Sequence, residues 1–420
     1  MLNPTNELLL VVQPSIDYAQ RVCSCVAHPL FLATPHRADA LRSAGFRTLT
    51  VDLDDPRSAL ACTAEYALRT GARFRGIVCF VCEYLPQTAL LAAGLGLPFA
   101  DGQAVARMRD KARSSAVWQQ AGLAVPASRA LNQQSELESF AASCDPPWIL
   151  KPLDGTGSEW VLRVDQHSDL PYAHAQIQRG LQQAKGGVAP TYLAQQCIVG
   201  REFGVDFYVE GNRFRILRLC EKFLIDVPGQ AGVVGGYYFP RLAQRLRRQI
   251  QDTLRQAALA IGLKRGIGMA DFIFADGVIY LLEMAPRPGG DCLPDLCRAA
   301  LNYDPIRAAC HVAQGFAPNA MHWPRPRRSL CALHLMSDRD GLIEQLDFSA
   351  LKTHEGFYQL IEAYCEPGDV LSHDPSSYED RIIASCLAHY THATQLPALW
   401  KSLSGAVDIA FSTQRETILP

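Results

Sequence analysis

The run Gly266–Gly290, GIGMADFIFADGVIYLLEMAPRPGG, constrains this chain more than any other segment. It reads as two apolar strands joined at Ala275-Asp276-Gly277. Each strand carries one carboxylate, Asp271 and Glu283, and Arg287 follows in a Pro/Gly-rich loop. A carboxylate inside an apolar strand is costly unless something pairs with it. Two of them followed by an arginine point to a divalent cation holding a phosphate-bearing ligand. The turn decides whether they can meet, because side chains alternate faces along a strand. A two-residue Asp-Gly turn pairs Asp271 with Leu282 and sends Glu283 to the opposite face. A three-residue Ala-Asp-Gly loop, with Gly277 left-handed as a bulge, pairs Asp271 with Leu281 and puts both carboxylates on one face. The cation reading therefore requires a loop of odd length. The alternative is an ordinary hairpin with two edge carboxylates facing water.

The 420 residues suffice for two or three domains, and 48% hydrophobic with 20% charged residues are globular values. A net charge of −2 gives no global case for nucleic acid or an acidic membrane surface. No apolar run approaches the roughly 20 residues needed to span a bilayer. The start, MLNPTNELLLVV, lacks the basic beginning and small-residue cleavage site of an export signal, so a cytoplasmic location with reduced thiols is expected for the 14 cysteines. Cys79-Phe80-Val81-Cys82 has CxxC spelling, but it ends an apolar strand, and no second Cys/His pair shows zinc-site spacing.

Short apolar strands at 8–13, 30–33, 47–53 and 76–82 alternate with helical stretches such as 55–70 and 86–95, which predicts a small parallel α/β unit. A helix over 103–121 follows, with Gly122 as its stop. Strands at 147–151, 192–197, 203–210 and 213–219, a Gly-rich loop at 229–236 and a helix at 241–261 predict a mixed α+β region leading to the hairpin. HWPRPRR around 322–328 reads as a boundary before a third, smaller α/β unit.

Two other segments carry chemistry. In Lys151-Pro152-Leu153-Asp154-Gly155-Thr156-Gly157-Ser158 a lysine ends a strand before a small flexible loop. Glycines let backbone N–H groups approach phosphate oxygens, and lysine adds a point charge. The lysine precedes the glycines, so this is no Walker loop; a Gly-rich hairpin with a chance lysine is the alternative. Arg109-Asp110-Lys111 lies in the predicted helix, away from the apolar stripe Val105, Met108, Ala112 and Ala116, and taken singly reads as a solvated face.

In this order the segments resemble the ATP-grasp superfamily. The resemblance rests on RDKARS at 109–114 with AGLAVP at 121–126, WILKPLDGTGS at 148–158, YLAQQCIVGREFGVD at 192–206, GMADFIFADG at 268–277 and YLLEMAPRPGG at 280–290. It spans about residues 8–310, and within the superfamily it is most similar to L-amino-acid ligases and carnosine-synthase-like carboxylate–amine ligases. It implies an ATP-grasp fold of mixed α/β and α+β class. A Rossmann-like pre-ATP-grasp domain would cover 1–102, a small ATP-binding subdomain with its linker helix 103–190, a large subdomain 191–320, and a small C-terminal α/β subdomain 321–420. It implies ATP with Mg²⁺ or Mn²⁺ as cofactors. Lys111 and Lys151 would hold the α- and β-phosphates, and Gly155, Thr156, Gly157 and Ser158 would close over the triphosphate. Gln195 opens the stretch matching the adenine-binding hinge, where backbone groups of Gln196 and Ile198 would read the base. Glu202 would bond the ribose. Asp271 and Glu283 would carry the metal, and Arg287 would stabilise the transferring phosphoryl group.

The amino-acid substrate would sit near Arg287, Gly289 and Gly290, with Glu221 a candidate for its ammonium group and Tyr237, Tyr238 and Phe239 either lining its pocket or in the core. The implied reaction joins a carboxylate to an amine through an acyl phosphate and releases ADP and phosphate. Small amino-acid-like substrates and a homodimer are the implied partners. Two alternatives stay open: a carboxylase-type enzyme using carboxyphosphate, and a nucleotide-binding regulatory protein. The second is motivated by Ala285, which stands where the family commonly has a metal-binding Asn, leaving Asp291 or water to substitute.

Overall fold

The computed structural model describes residues 6–131, 134–153, 160–183, 192–227, 232–318, 323–374 and 379–412. The chain opens with a four-stranded parallel sheet of Glu7–Val12, Pro29–Ala33, Thr48–Thr50 and Arg73–Cys79, in the order third, second, first, fourth. Parallel strands covered on both faces need to be apolar throughout, and Leu8–Val12 and Leu30–Ala33 are buried without a break. Helices Ile16–Cys23, Pro35–Ser43 and Pro56–Thr70 make the crossovers. Ser15 caps the first of them by accepting from the Tyr18 N–H, which fixes the end of the helix that faces the cleft described below.

The helix predicted over 103–121 is two helices, Gly102–Arg109 and Lys111–Gln120. Asp110 breaks the run with an extended backbone (φ −104°, ψ 106°), and its carboxylate caps the second helix at the Ala112 and Arg113 N–H groups. Asp is a strong N-cap because it competes with the helix for these donors. The break makes Lys111 the first residue of a new helix.

A four-stranded antiparallel sheet comes next, ordered Ser128–Leu131, Tyr192–Gln196, Trp148–Pro152 and Leu162–Val164. Trp148 and Leu150 point into its core, while Ile149 and Lys151 face the cleft.

The largest sheet has eight strands. Their order is Val278–Ala285, Arg265–Ala275, Arg201–Glu210, Arg213–Leu224, Val234–Tyr238, Leu330–Met336, Ile382–His389 and Phe357–Ala363. The segment beyond residue 321 thus adds three strands to the sheet of the preceding segment. Only Gly341–Asp347, Val370–Leu371 and Asp408–Phe411 form a small sheet apart. Part of the predicted Gly-rich loop is strand: Gly236 pairs with Leu333, and a Cβ there would lie 2.2 Å from the Ala332 carbonyl oxygen, so the two strands can approach only with glycine at this position. Residues 228–231 of that loop lie outside the described residues.

Helix Gln244–Ile261 packs its Ile250, Leu254 and Ala257 face into the core, and the Trp118 indole donates to the Ala257 carbonyl. Among the described residues no helix is long and apolar enough to cross a membrane.

Candidate active site

The hairpin of Arg265–Ala275 and Val278–Ala285 brings Asp271 and Glu283 together by a route the sequence did not suggest. Its turn is the two-residue Asp276-Gly277, with φ of +49° and +81°, the type I′ geometry that suits twisted hairpins. From that turn Phe272 pairs with Leu281, and then the register slips by one, so that Asp271 pairs directly with Glu283. Leu282 is the extra residue of a bulge. An odd-length loop is therefore not required: one bulged residue flips the face of everything beyond it.

The pair faces a cavity of about 1150 Å³ lined by the eight-stranded sheet, the four-stranded antiparallel sheet and the first helix of the N-terminal unit. Lys222, from strand Arg213–Leu224, which lies beyond Arg201–Glu210 from the hairpin, places its Nζ 2.6 Å from Asp271 Oδ2 and 2.6 Å from Glu202 Oε1. Burial opposes its charge, but Asp271 and Glu202 override burial and hold the ammonium above the ordinary lysine range. Burial outweighs Lys222 at Asp271 and pushes that carboxyl up. At Glu283 burial is overcome by Lys111, Lys222, Lys151 and Arg287, which hold its carboxyl below the usual range.

Lys111 and Lys151 reach the same space from the other side. Lys111 Nζ donates to the carbonyls of Leu153 (3.2 Å) and Pro152 (3.5 Å). Burial first, and then Lys111, lower Lys151 to about 8. Four cations (Lys111, Lys151, Lys222, Arg287) thus surround three carboxylates (Glu202, Asp271, Glu283). A surplus of positive charge around a carboxylate pair suits a phosphate chain carrying a metal.

Arg287 is fixed at two points, Nη1 to the Pro288 carbonyl (2.9 Å) and Nε to Cys82 Sγ (2.8 Å). Cys82 opens the short 3₁₀ helix Cys82–Tyr84 just beyond the last strand of the N-terminal sheet, so the second cysteine of the CxxC spelling makes a contact to the arginine. The loop after Arg287 is pinned by a fully buried ion pair. Arg218 bonds Asp206 at 3.0 and 2.7 Å and the Gly204 carbonyl at 3.0 Å, and Asp206 accepts from the Gly289 N–H at 2.8 Å. A Cβ at Gly289 would meet Arg218 Nη2 at 2.6 Å. Gly289 therefore spends its N–H on the scaffold, although both it and Gly290 line the cavity.

Other expected residues fall as follows. Gln195, buried at the strand Tyr192–Gln196, lines the cavity with Gln196 and Ile198. The Gln196 N–H is committed to the Ala127 carbonyl at 2.8 Å and the Cys197 N–H to Pro147 at 3.0 Å, so at Gln196 only the carbonyl is left for a base. Glu202 lines the cavity, paired with Lys222. Gly155, Thr156, Gly157 and Ser158 lie outside the described residues. Glu221 does not meet the expectation of holding an ammonium group: it points to the opposite face of its strand from Lys222, where Arg201 grips both its oxygens at 2.9 and 2.6 Å. Tyr237 reaches the cavity, whereas Tyr238 and Phe239 pack in core clusters. Ala285 is buried opposite Met269, and Asp291 is engaged by His334 at 2.9 Å.

Lys222, Arg218 and His334 were missed. The cost argument that singled out Asp271 applies equally to a lysine and an arginine inside RFRILRLCEKFL. His334, inside the wholly buried strand Leu330–Met336, carried the same signal.

Residues 108–291 match a family model described as an ATP-grasp domain. The chain is 29% identical to a D-alanine–D-alanine ligase of Bordetella petrii over 46% of this chain and 60% of that protein. It is 24% identical to carnosine synthase 1 of Mus musculus over 64% of this chain and 34% of that protein. The chain thus spans less than two thirds of either relative. Among solved structures, an L-amino acid ligase from Bacillus licheniformis superimposes with a TM-score of 0.76 at 18% identity, covering 98% of this chain and 100% of the other, which shows a shared fold.

Proposed function

We propose that this chain, which carries an ATP-grasp domain over residues 108–291, is an ATP-dependent ligase that joins a carboxylate to an amine. The observation that carries the reading is the convergence of Lys111, Lys151, Asp271, Glu283 and Arg287 on one cavity from separate sheets and a helix start. The relative described as a D-alanine–D-alanine ligase supports an amino acid as the carboxylate, and the L-amino acid ligase named above shares the fold.

A free carboxylate is a poor acylating agent, because its leaving group would be oxide. Phosphorylation by ATP turns it into an acyl phosphate; the amine attacks the carbonyl carbon and phosphate leaves. The protein's part is to position groups and neutralise charge. Lys111 and Lys151 would hold phosphates, the Gln196 carbonyl and Ile198 the base, and Glu202 the ribose. Asp271 and Glu283 form an all-oxygen donor pair that fits Mg²⁺. Bound there, the ion would neutralise phosphate charge and polarise the phosphoryl group. Ala285 offers no side-chain oxygen, so the residues present suit one ion better than two. Arg287, held by Cys82 and Pro288, would face the transferring phosphoryl group.

Mass spectrometry of products formed from ATP, Mg²⁺ and a mixed amino-acid pool, with ADP release followed in parallel, tests the reading. An amide product with stoichiometric ADP is expected. Nucleotide binding without turnover across a broad panel of carboxylates and amines would refute it.

A further inference from the structure

Past Arg287 the cavity continues to a second end that the phosphate-facing groups leave unused. Its walls are Tyr18 and Arg21 of the first helix, Asp291, Tyr237 and His334, with Glu362 and Tyr364 farther along. Arg21 is already shared, at 2.8 Å each, between Asp17 and Asp295. Among the described residues neither lysine nor arginine forms an ion pair with Asp291. His334 Nε2 lies 2.9 Å from its Oδ2 and the Tyr237 hydroxyl also bonds it. His334 is buried, and its Nδ1 is set by Ser385 Oγ at 2.8 Å, which in turn lies 3.2 Å from the Tyr364 hydroxyl. The Asp291 side chain itself is 33% exposed. Burial is outweighed by His334 and Tyr237, so the carboxyl stays below the usual range and is a carboxylate at neutral pH. The result is a rigidly aimed anion on the cavity wall, four residues beyond Arg287.

Resting on the ligase reading, the geometry points to Asp291 as the residue that receives the acceptor as its ammonium ion and holds it for attack, with His334 as the positioning residue that aims it. A primary amine reaches the enzyme as an ammonium ion, which has no lone pair for attack. Transfer of one proton to a phosphate oxygen of the acyl phosphate, while Asp291 holds the nitrogen in place, frees the lone pair. The C–N bond forms as the acyl C–O bond to phosphate breaks, and the second nitrogen proton leaves with the phosphate. Asp291 stays ionised throughout, and the departing phosphate gives its extra proton to solvent. Glu362 carries a second carboxylate in the same field, so this end of the cavity selects a cationic acceptor and repels an anion such as bicarbonate.

The test separates the two halves of the reaction with hydroxylamine, a small nucleophile uncharged at neutral pH, which captures an acyl phosphate as a hydroxamate without giving up an ammonium proton. Wild-type enzyme, Asp291→Asn, His334→Ala and His334→Gln are assayed with ATP, Mg²⁺ and an amino-acid panel, using either hydroxylamine or amines as acceptor. Asp291→Asn should keep hydroxamate formation within a few-fold and lose roughly 100-fold or more in kcat/KM for amines. His334→Ala should raise the amine KM without changing hydroxamate formation, and His334→Gln, which keeps a donor, should restore much of the loss. Equal loss with both acceptors in a folded Asp291→Asn protein overturns the assignment, as does full activity with amines. Asp291, Cys292 and His334 also place ligand atoms within 4.8 Å of one another. Stoichiometric zinc in the purified protein, lost on His334→Ala, would make Asp291 a metal ligand and overturn the inference as well. Absence of hydroxamate from the wild-type enzyme across the panel would instead refute the ligase reading on which the inference rests.

Discussion

Replacing Lys151 by methionine should strengthen the fold and weaken nucleotide binding together. Burial, with Lys111 adding to it, brings the Lys151 ammonium to about 8 from 10.5. Between those pH values the unfolded chain holds a proton here that the folded chain has released. Stability therefore rises with pH across that window, and the whole penalty is present below about pH 8. Keeping the charge at neutral pH costs at most about 3 kcal/mol. Lys151 is only half-buried, so screening by water leaves about 1–2 kcal/mol as the expected gain from the variant. Methionine keeps the stem that packs beside Ile149 and drops the charge. The same change removes a charged contact to phosphate, worth roughly tenfold to a hundredfold in affinity. In the wild-type chain the dissociation constant for ATP should rise about tenfold from pH 7 to pH 9 as the lysine deprotonates, and in the variant it should not. Urea unfolding at pH 7 and isothermal titration across that range measure both. A variant no more stable than the parent, or a wild-type affinity that is flat with pH, would refute the reasoning.

Three further substitutions probe the rest of the site. Glu283→Gln should abolish Mg²⁺-dependent turnover while circular dichroism reports an intact fold; unchanged activity would remove the metal assignment. Lys222→Met leaves Asp271 and Glu202 without their shared cation, side chains only 11–13% exposed, and should cost about 2–4 kcal/mol in urea unfolding. Millimolar Mg²⁺ should raise the melting temperature of that variant more than that of the parent, and an equal response in both would count against a cation site at Asp271. Arg218→Met strands the buried Asp206 with only the Gly289 N–H named above to offset its charge, so about 3–5 kcal/mol of stability should be lost, as measured by urea unfolding.

The residues proposed to face phosphate were legible because their chemistry is expensive. A carboxylate in an apolar strand or a lysine before glycines demands a partner, and order along the chain then supplied the family. What the sequence could not carry was register. YLLEM gives no sign that Leu282 is bulged, since Leu281 in the core and Leu282 beside the cavity are the same residue type. The helix break at Asp110 was hidden because capping and surface roles draw on the same residue. Glu221 and Lys222 are adjacent, and the choice of which faces the cavity rests on strand parity, itself reset by an irregularity between Ile216 and Arg218. The Asp291–His334 contact joins residues 43 apart, on a loop and a strand, with no local pattern to announce it. The affiliation of the C-terminal strands with the large sheet is likewise long-range, and strand periodicity says nothing of which sheet a strand joins.

The hydrogen bond from Arg287 to Cys82 bears on how such proteins can be recombined. An engineer exchanging the first hundred residues between two members of this fold would naturally match linker length and surface charge. In this chain the incoming unit would also have to present a hydrogen-bond acceptor in the short turn just after its last strand, 205 residues away in sequence from the guanidinium that it steadies. A chimera with alanine there would assemble, close its sheets and still leave Arg287, proposed above to face the phosphoryl group, without that support, a dependence invisible to any comparison made one module at a time.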